Sequence, residues 1–168
     1  MIPQIKKILY ATDLSENSSY AFLYAIDLAH RRDAKIVILH AIEPIPGSVE
    51  RRFGSVGRDL EERREKEAVE LIESRLREFY KDIEAKTCYQ CPELISDILV
   101  PTGYAVEEIL NAADKEDCDI IVLGTHGKGF LAHTFLGSVA SSVLNRTRKP
   151  VFIIPLPSGK GYGNKEGV

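Results

Sequence analysis

The chain has 168 residues, 44% of them hydrophobic and 28% charged, and carries a formal net charge of -3. That length supports one domain with a substantial core and is too short for two ordinary ones. The near-balanced charge argues against a polyelectrolyte surface for nucleic acid or anionic membrane, and no apolar run approaches the roughly 20 residues of a membrane helix.

In chain order, residues 5–11 (IKKILYA) read as a first strand. A helix is expected over 16–31, where Ala21, Phe22, Ala25, Ile26 and Ala29 share one face and Ser15 stands at the N-cap. Residues 35–41 (KIVILHA) make a second strand, apolar enough to be covered on both faces. The proline- and glycine-containing stretch 43–57 reads as a surface loop. Over 58–82, Ala68, Ile72, Leu76 and Phe79 recur at helical spacing, and the charge run EERREKE (61–67) reads as the solvated face of that helix. A third strand is expected over 94–100, a third helix through Val106, Ile109, Leu110 and Ala113, and a fourth strand over 119–123. A fourth helix over 137–146 and a fifth strand over 151–154 follow. Residues 158–168 (SGKGYGNKEGV) have no core-forming pattern and read as a disordered tail after a single domain over 1–157.

Strands and helices that alternate, with connections long enough for crossovers, predict an α/β domain: an open five-stranded parallel sheet with helices on both faces. Ligands of such sheets sit beyond the carboxyl ends of strands, where the strand order reverses. The polar positions there are Thr12 and Asp13 after strand one, Glu43 after strand two, and a glycine-rich run after strand four. His40, flanked by Leu39 and Ala41, reads as a satisfied strand histidine rather than a ligand.

Three cysteines, Cys88, Cys91 and Cys118, are an odd number and make no secreted-type disulfide framework. Cys88 and Cys91 have CxxC spacing, yet the pair precedes a proline and does not open a helix after an early strand, so structural or incidental thiols are expected. Residues 1–4 (MIPQ) lack a basic-then-apolar export pattern, and the cytoplasm is the expected compartment.

The run GTHGKGFLAHTFLGSV (124–139) holds four glycines. A P-loop is excluded, because neither Gly127-Lys128 nor Gly159-Lys160 has a glycine five positions earlier or a hydroxyl residue after the lysine. Gly127 to Ala132 matches GxGxxA literally, but at the fourth strand rather than the first, and no carboxylate follows in 151–157. A third reading takes Gly124-x2-Gly127-x9-Gly137-Ser138 as a cradle that ends at a helix N-terminus. Unpaired amides and the helix dipole make such a terminus welcoming to an anion. Gly124 and Gly127 would admit a phosphate or ribose close to the backbone, Ser138 would donate a further hydrogen bond, and Lys128 would offset phosphate charge.

With these residues the chain resembles the universal stress protein family in its ATP-binding form. The likeness runs through KKILYATDLSENSSYAF, KIVILHAIEP, GYAVEEILNAADKEDCDIIVLGTHG and NRTRKPVFIIP as well as the glycine spacing. It implies a Rossmann-like fold of the adenine nucleotide alpha hydrolase-like kind. It implies that Asp13 meets the ribose hydroxyls or lies near the adenosine and phosphates, and that Ala41 offers main-chain contacts to adenine. Gly124, Thr125, His126 and Gly127 would line the ribose and phosphate path, with Ala11, Thr12 and Leu123 at the strand ends. Gly137, Ser138, Val139 and Ala140 would hold the phosphates. Ala11 stands where a proline is common, and Ala140 where a hydroxyl residue often sits. The implied ligand is ATP, or ADP or AMP, with any Mg²⁺ carried mainly by the nucleotide. The implied partner is a second copy of the chain, paired along strand 151–154.

The residues needed for fast hydrolysis are sparse, with only Lys128, His126 and Asp13 placed to serve, so a regulatory binding module with slow or absent hydrolysis is expected. The competing expectation is a dimeric interaction module of the same fold that holds no nucleotide. A hydrolase built on Ser138, His126 and Asp13 lacks the GxSxG elbow.

Overall fold

The structure, a computed structural model, describes residues 2–44, 55–86, 92–125 and 136–155. Five strands, β1 (Lys7–Ala11), β2 (Lys35–Leu39), β3 (Ile95–Leu99), β4 (Ile120–Gly124) and β5 (Val151–Ile154), form one sheet in the order β3-β2-β1-β4-β5. Every neighbouring pair is parallel. The helices among the described residues are α1 (Glu16–Arg32), α2 (Ser55–Lys86), α3 (Ala105–Lys115) and α4 (Ser138–Arg146), and a 3-10 turn covers Pro92–Leu94. The expected parallel α/β sheet is therefore observed. No helix among the described residues is long and apolar enough to cross a membrane.

Strand alternation divides the core in two. Ile8, Tyr10, Ile36, Ile38, Ile120 and Val122 point to one face, where they pack with Ala21, Phe22, Ala25 and Ile26 of α1 and with Ala68 and Ile72 of α2. Leu9, Val37, Leu39, Ile121 and Leu123 point to the other, against Ile109, Ala112 and Ala113 of α3 and Ala140 and Val143 of α4. Burial on both faces is why the central strands read as unbroken apolar runs rather than alternating ones. Cys118 lies fully buried in the second cluster, and its thiol is pushed up to about 11 by burial. Cys88, Cys91 and the expected tail fall outside the described residues.

Two boundaries differ from the sequence expectation in an instructive way. Helix α2 starts at Ser55, inside the stretch read as a loop, and continues to Lys86. Gly57 reads as a breaker in isolation but falls in the first turn, where few helical hydrogen bonds depend on it, and residues 82–86 (DIEAK) continue a helix-compatible composition. Gly137 is not helical but is the N-cap of α4, with φ -62° and ψ 157°.

Tyr10 closes the first cluster under the end of β1, its hydroxyl donating to the Ser18 carbonyl at 2.7 Å. Burial pushes this phenol from 10.0 up to about 12. The native state thus keeps a proton that the unfolded chain releases, and stability present below pH ~10 is lost as pH rises through ~12. Urea unfolding between pH 9 and 11.5 should show the wild type losing on the order of 2 kcal/mol more than Tyr10→Phe. Parallel curves for the two proteins would count against this assignment.

Candidate functional site

The strand order places the crevice. From β1 the chain moves to β2 and β3 on one side, and β4 and β5 then fill the other, so the loops after β1 and β4 diverge between neighbouring strands. A cleft of about 870 Å³ opens at this point, within the range of about 300–1,000 Å³ usual for small-molecule sites.

One wall is the turn after β1. The Thr12 amide donates to the Leu39 carbonyl at 2.9 Å and extends the β1–β2 pairing by one step. Its hydroxyl lies 2.8 Å from Ser18 Oγ and accepts from the Leu14 amide at 3.1 Å. Asp13 uses one carboxylate oxygen, Oδ1, to accept from the Ser15 amide at 3.0 Å and the Ser15 hydroxyl at 2.6 Å. Ser15, the expected N-cap of α1, in turn accepts from the Ser18 amide at 3.2 Å. The second oxygen, Oδ2, is buried and has no hydrogen-bond partner among the described residues. A buried carboxylate oxygen with unused acceptor capacity is costly, and it marks a place where a donor is expected.

The facing wall is the end of β4 and the start of α4. The Thr125 amide donates to the Ile154 carbonyl at 3.0 Å, and the Gly137 amide donates to the Thr125 carbonyl at 2.7 Å. Gly137 is therefore fastened to the residue that directly follows β4. The first intrahelical bond of α4 belongs to the Ser141 amide, on the Gly137 carbonyl at 2.9 Å. The amides of Ser138, Val139 and Ala140 precede it and have no helical carbonyl to use, and glycine at the N-cap brings no side chain to cap them. Arg146 grips Glu107 of α3 through two bonds of 2.6 and 3.0 Å. It holds the Glu107 carboxyl below its ordinary range and ties the far end of α4 to its neighbour.

The end of β2 and helix α2 complete the cleft. His40 Nδ1 lies 2.9 Å from the Thr12 carbonyl, a satisfied histidine as expected, and its residue also lines the cavity. Ala41, Ile42 and Glu43 follow it, with Arg64, Glu67 and Ala68 of α2 opposite and Ala105 and Ile109 of α3 nearby. Arg64 donates to the Glu43 carbonyl at 3.2 Å. The run EERREKE is thus not only a solvated face. Arg64 is half-buried because α2 lies across the strand ends with Ala68 and Ile72, four and eight residues on, in the core.

Of the residues singled out in the sequence, Ala11, Thr12, Asp13, Ala41, Leu123, Gly124, Thr125, Gly137, Ser138, Val139 and Ala140 all line this one cleft. His126, Gly127 and Lys128 lie outside the described residues. The contribution of α2 was missed. The signal that could have found it is the spacing of Arg64, Ala68, Ile72 and Arg75, which sets two arginines on the apolar face of the helix. Among the described residues no group of three or more His, Cys, Asp or Glu is arranged to hold a metal ion.

The family model for the universal stress protein family matches residues 4–155. The chain belongs to that family. Universal stress protein MJ0577 of Methanocaldococcus jannaschii is 28% identical over 160 residues, covering 89% of this chain and 94% of its own. A solved structure of MJ0577 covers 94% of this chain and 100% of its own, at a TM-score of 0.66 and 28% identity. A universal stress protein of Thermus aquaticus is 31% identical over 151 residues, covering 89% of this chain and 98% of its own. A universal stress protein solved in complex with cAMP, 21% identical, covers 91% of this chain and 98% of its own and shares the fold at a TM-score of 0.54. The family match takes in both walls of the cleft, from Thr12 and Asp13 to the start of α4.

Proposed function

We propose that this universal stress protein binds an adenine nucleotide, ATP or its ADP and AMP relatives, in the cleft between β1 and β4, as a dimeric regulatory module. The observation that carries the reading is the pairing of unlike needs in one cavity. Among the described residues Asp13 Oδ2 is an acceptor without a donor, and the first amides of α4 are donors without a helical acceptor. A ribose supplies hydroxyl donors and a phosphate supplies acceptor oxygens, so a nucleotide answers both. The base then falls toward Ala41 at the β2 end. His126, Gly127 and Lys128 belong to the same reading on the strength of the sequence. Ala140 offers its amide but no hydroxyl, so the phosphate grip is a main-chain one, and Mg²⁺ would arrive with the nucleotide.

The nucleotide is read as a regulatory ligand with hydrolysis slow or absent. Fast phosphoryl transfer uses positive charge fixed at the transferring group. The described cation on the cleft, Arg64, sits at the β2 end with its guanidinium on the Glu43 carbonyl.

Self-association along β5 is supported by the contrast between the two edges of the sheet. Edge strand β3 (ISDIL) carries Ser96 and Asp97, whereas β5 (VFII) carries no polar residue. Polar and charged residues are how sheets blunt a free edge, and an apolar edge without them calls for a partner. Phe152 on that strand remains 37% exposed and meets the equally accessible Tyr24 ring at 6.0 Å.

Asp13→Asn tests the ribose assignment. The Ser15 amide can only donate, so it holds the asparagine oxygen and leaves the NH₂ group in the place of Oδ2. Titration calorimetry with Mg-ATP should show a loss of about 2 kcal/mol, roughly thirtyfold in Kd. Affinity equal to wild type would remove Asp13 from the site. Failure of the nucleotide-stripped wild type to bind ATP, ADP or AMP would favour an interaction module without a ligand.

A further inference from the structure

We propose that Arg75 of α2 is the positioning residue for Asp13, a clamp that holds the β1–α1 turn in the shape that presents Oδ2 to the cleft. The turn needs holding because Leu14 lies in the left-handed region at φ 61°, which only a few per cent of non-glycine residues adopt. Nothing about leucine favours it, since it has no side-chain oxygen to bond its own backbone and carries the full Cβ penalty. Local bonds from Thr12 and Ser15 secure the Leu14 amide and Asp13 Oδ1. The Leu14 carbonyl is left for a donor from elsewhere, and it accepts from the guanidinium of Arg75, 61 residues away in the chain.

Arg75 reaches the turn from a helix whose apolar face enters the core. It is half-buried, three residues past Ile72, whose side chain is in the core with Ala68. Eleven residues earlier, three helical turns back on the same face, Arg64 donates to the Glu43 carbonyl beyond β2. Helix α2 is thus fastened by two arginines to the backbone just past two neighbouring strands, with apolar contacts between them. Releasing the Arg75 end frees Leu14 to return to an ordinary φ. Because Asp13 is the preceding residue, its carboxylate turns with that peptide and Oδ2 leaves its place in the cleft.

The clamp can be tested apart from the nucleotide reading, on which only its consequence for ribose depends. Arg75→Met keeps the unbranched apolar stem and the helix propensity while removing the donor. In the full-length protein without ligand, amide hydrogen exchange by NMR should speed up about tenfold or more at Leu14 and Ser15 and stay unchanged at Leu9 in β1. Arg75→Lys, which keeps one donor, should recover part of the protection. Unchanged exchange at Leu14 and Ser15 in Arg75→Met overturns the proposal, as does acceleration spread equally over β1.

The second arm compares Mg-ATP with 2′,3′-dideoxyATP, which has no ribose hydroxyl for Asp13. Arg75→Met should weaken ATP about tenfold and leave the dideoxy analogue as in wild type. Equal weakening of both would show Arg75 acting on the phosphates or the whole fold and would overturn the positioning role. A wild type that binds neither compound overturns the nucleotide reading alone, and the exchange result then decides the clamp.

Discussion

Gly137→Val is expected to give a folded protein whose unfolding temperature responds only weakly to Mg-ATP. The substitution is tolerable to the backbone, because φ -62° and ψ 157° at Gly137 are open to any L-residue. The helix loses only a glycine N-cap, a cost of about 1 kcal/mol or less. The cleft loses more. A branched side chain at the N-cap stands over the amides of Ser138, Val139 and Ala140, where the phosphates are proposed to lie, and a bulky apolar group there both blocks and desolvates them. Wild-type protein at 100 times the dissociation constant should gain about 2.7 kcal/mol, a shift of several degrees. In the variant we expect affinity to fall on the order of 100-fold, which leaves about 0.4 kcal/mol of stabilisation at the same ATP concentration and a shift of about a degree. A variant with an intact shift would move the phosphates away from α4, and one that fails to unfold cooperatively even without nucleotide would show that Gly137 serves the fold.

Phe152→Glu is expected to turn a dimer into a monomer. The outer side of β5 has no strand beside it in the sheet order, and its four residues VFII put no charge or hydroxyl on that edge. A glutamate at Phe152 introduces like charges close to the two-fold axis of an isologous pairing and removes an aromatic anchor that Tyr24 extends. Sedimentation at micromolar concentration should report a dimer for wild type and a monomer for the variant, a weakening on the order of 100-fold or more. Mg-ATP binding should survive, since Phe152 does not line the cleft. Wild-type protein that sediments as a monomer would refute pairing along β5, whatever the variant does.

The candidate site was unevenly legible in the sequence. Asp13 could be found from the sequence because it follows an apolar strand, and the N-terminus of α4 because Gly137 and Ser138 end the glycine run. What could not be read was the division of labour within Asp13. One oxygen is committed to Ser15 and the other has no partner among the described residues, beside a left-handed Leu14 for which leucine gives no local signal. The charge run 61–67 misled for a related reason. Its periodicity is that of any solvated helix, and whether Arg64 faces water or a carbonyl depends on how α2 crosses the sheet.

By itself the sequence determined the alternation of strand and helix, the burial of β1, β2 and β4 on both faces, and the chemistry stationed at their carboxyl ends. All of these are properties of residues within a few positions of one another, and side-chain period and local composition are enough to express them. Only the tertiary structure decided the order β3-β2-β1-β4-β5, which puts Asp13 and Gly137 on opposite walls of one crevice although 124 positions separate them. It also decided that two arginines of a strongly charged helix would serve the backbone beyond β1 and β2. The physical reason is that a carbonyl takes its donor from whatever packs nearest in space, and that neighbour is set by the folding of the whole sheet rather than by the residues beside it in the chain.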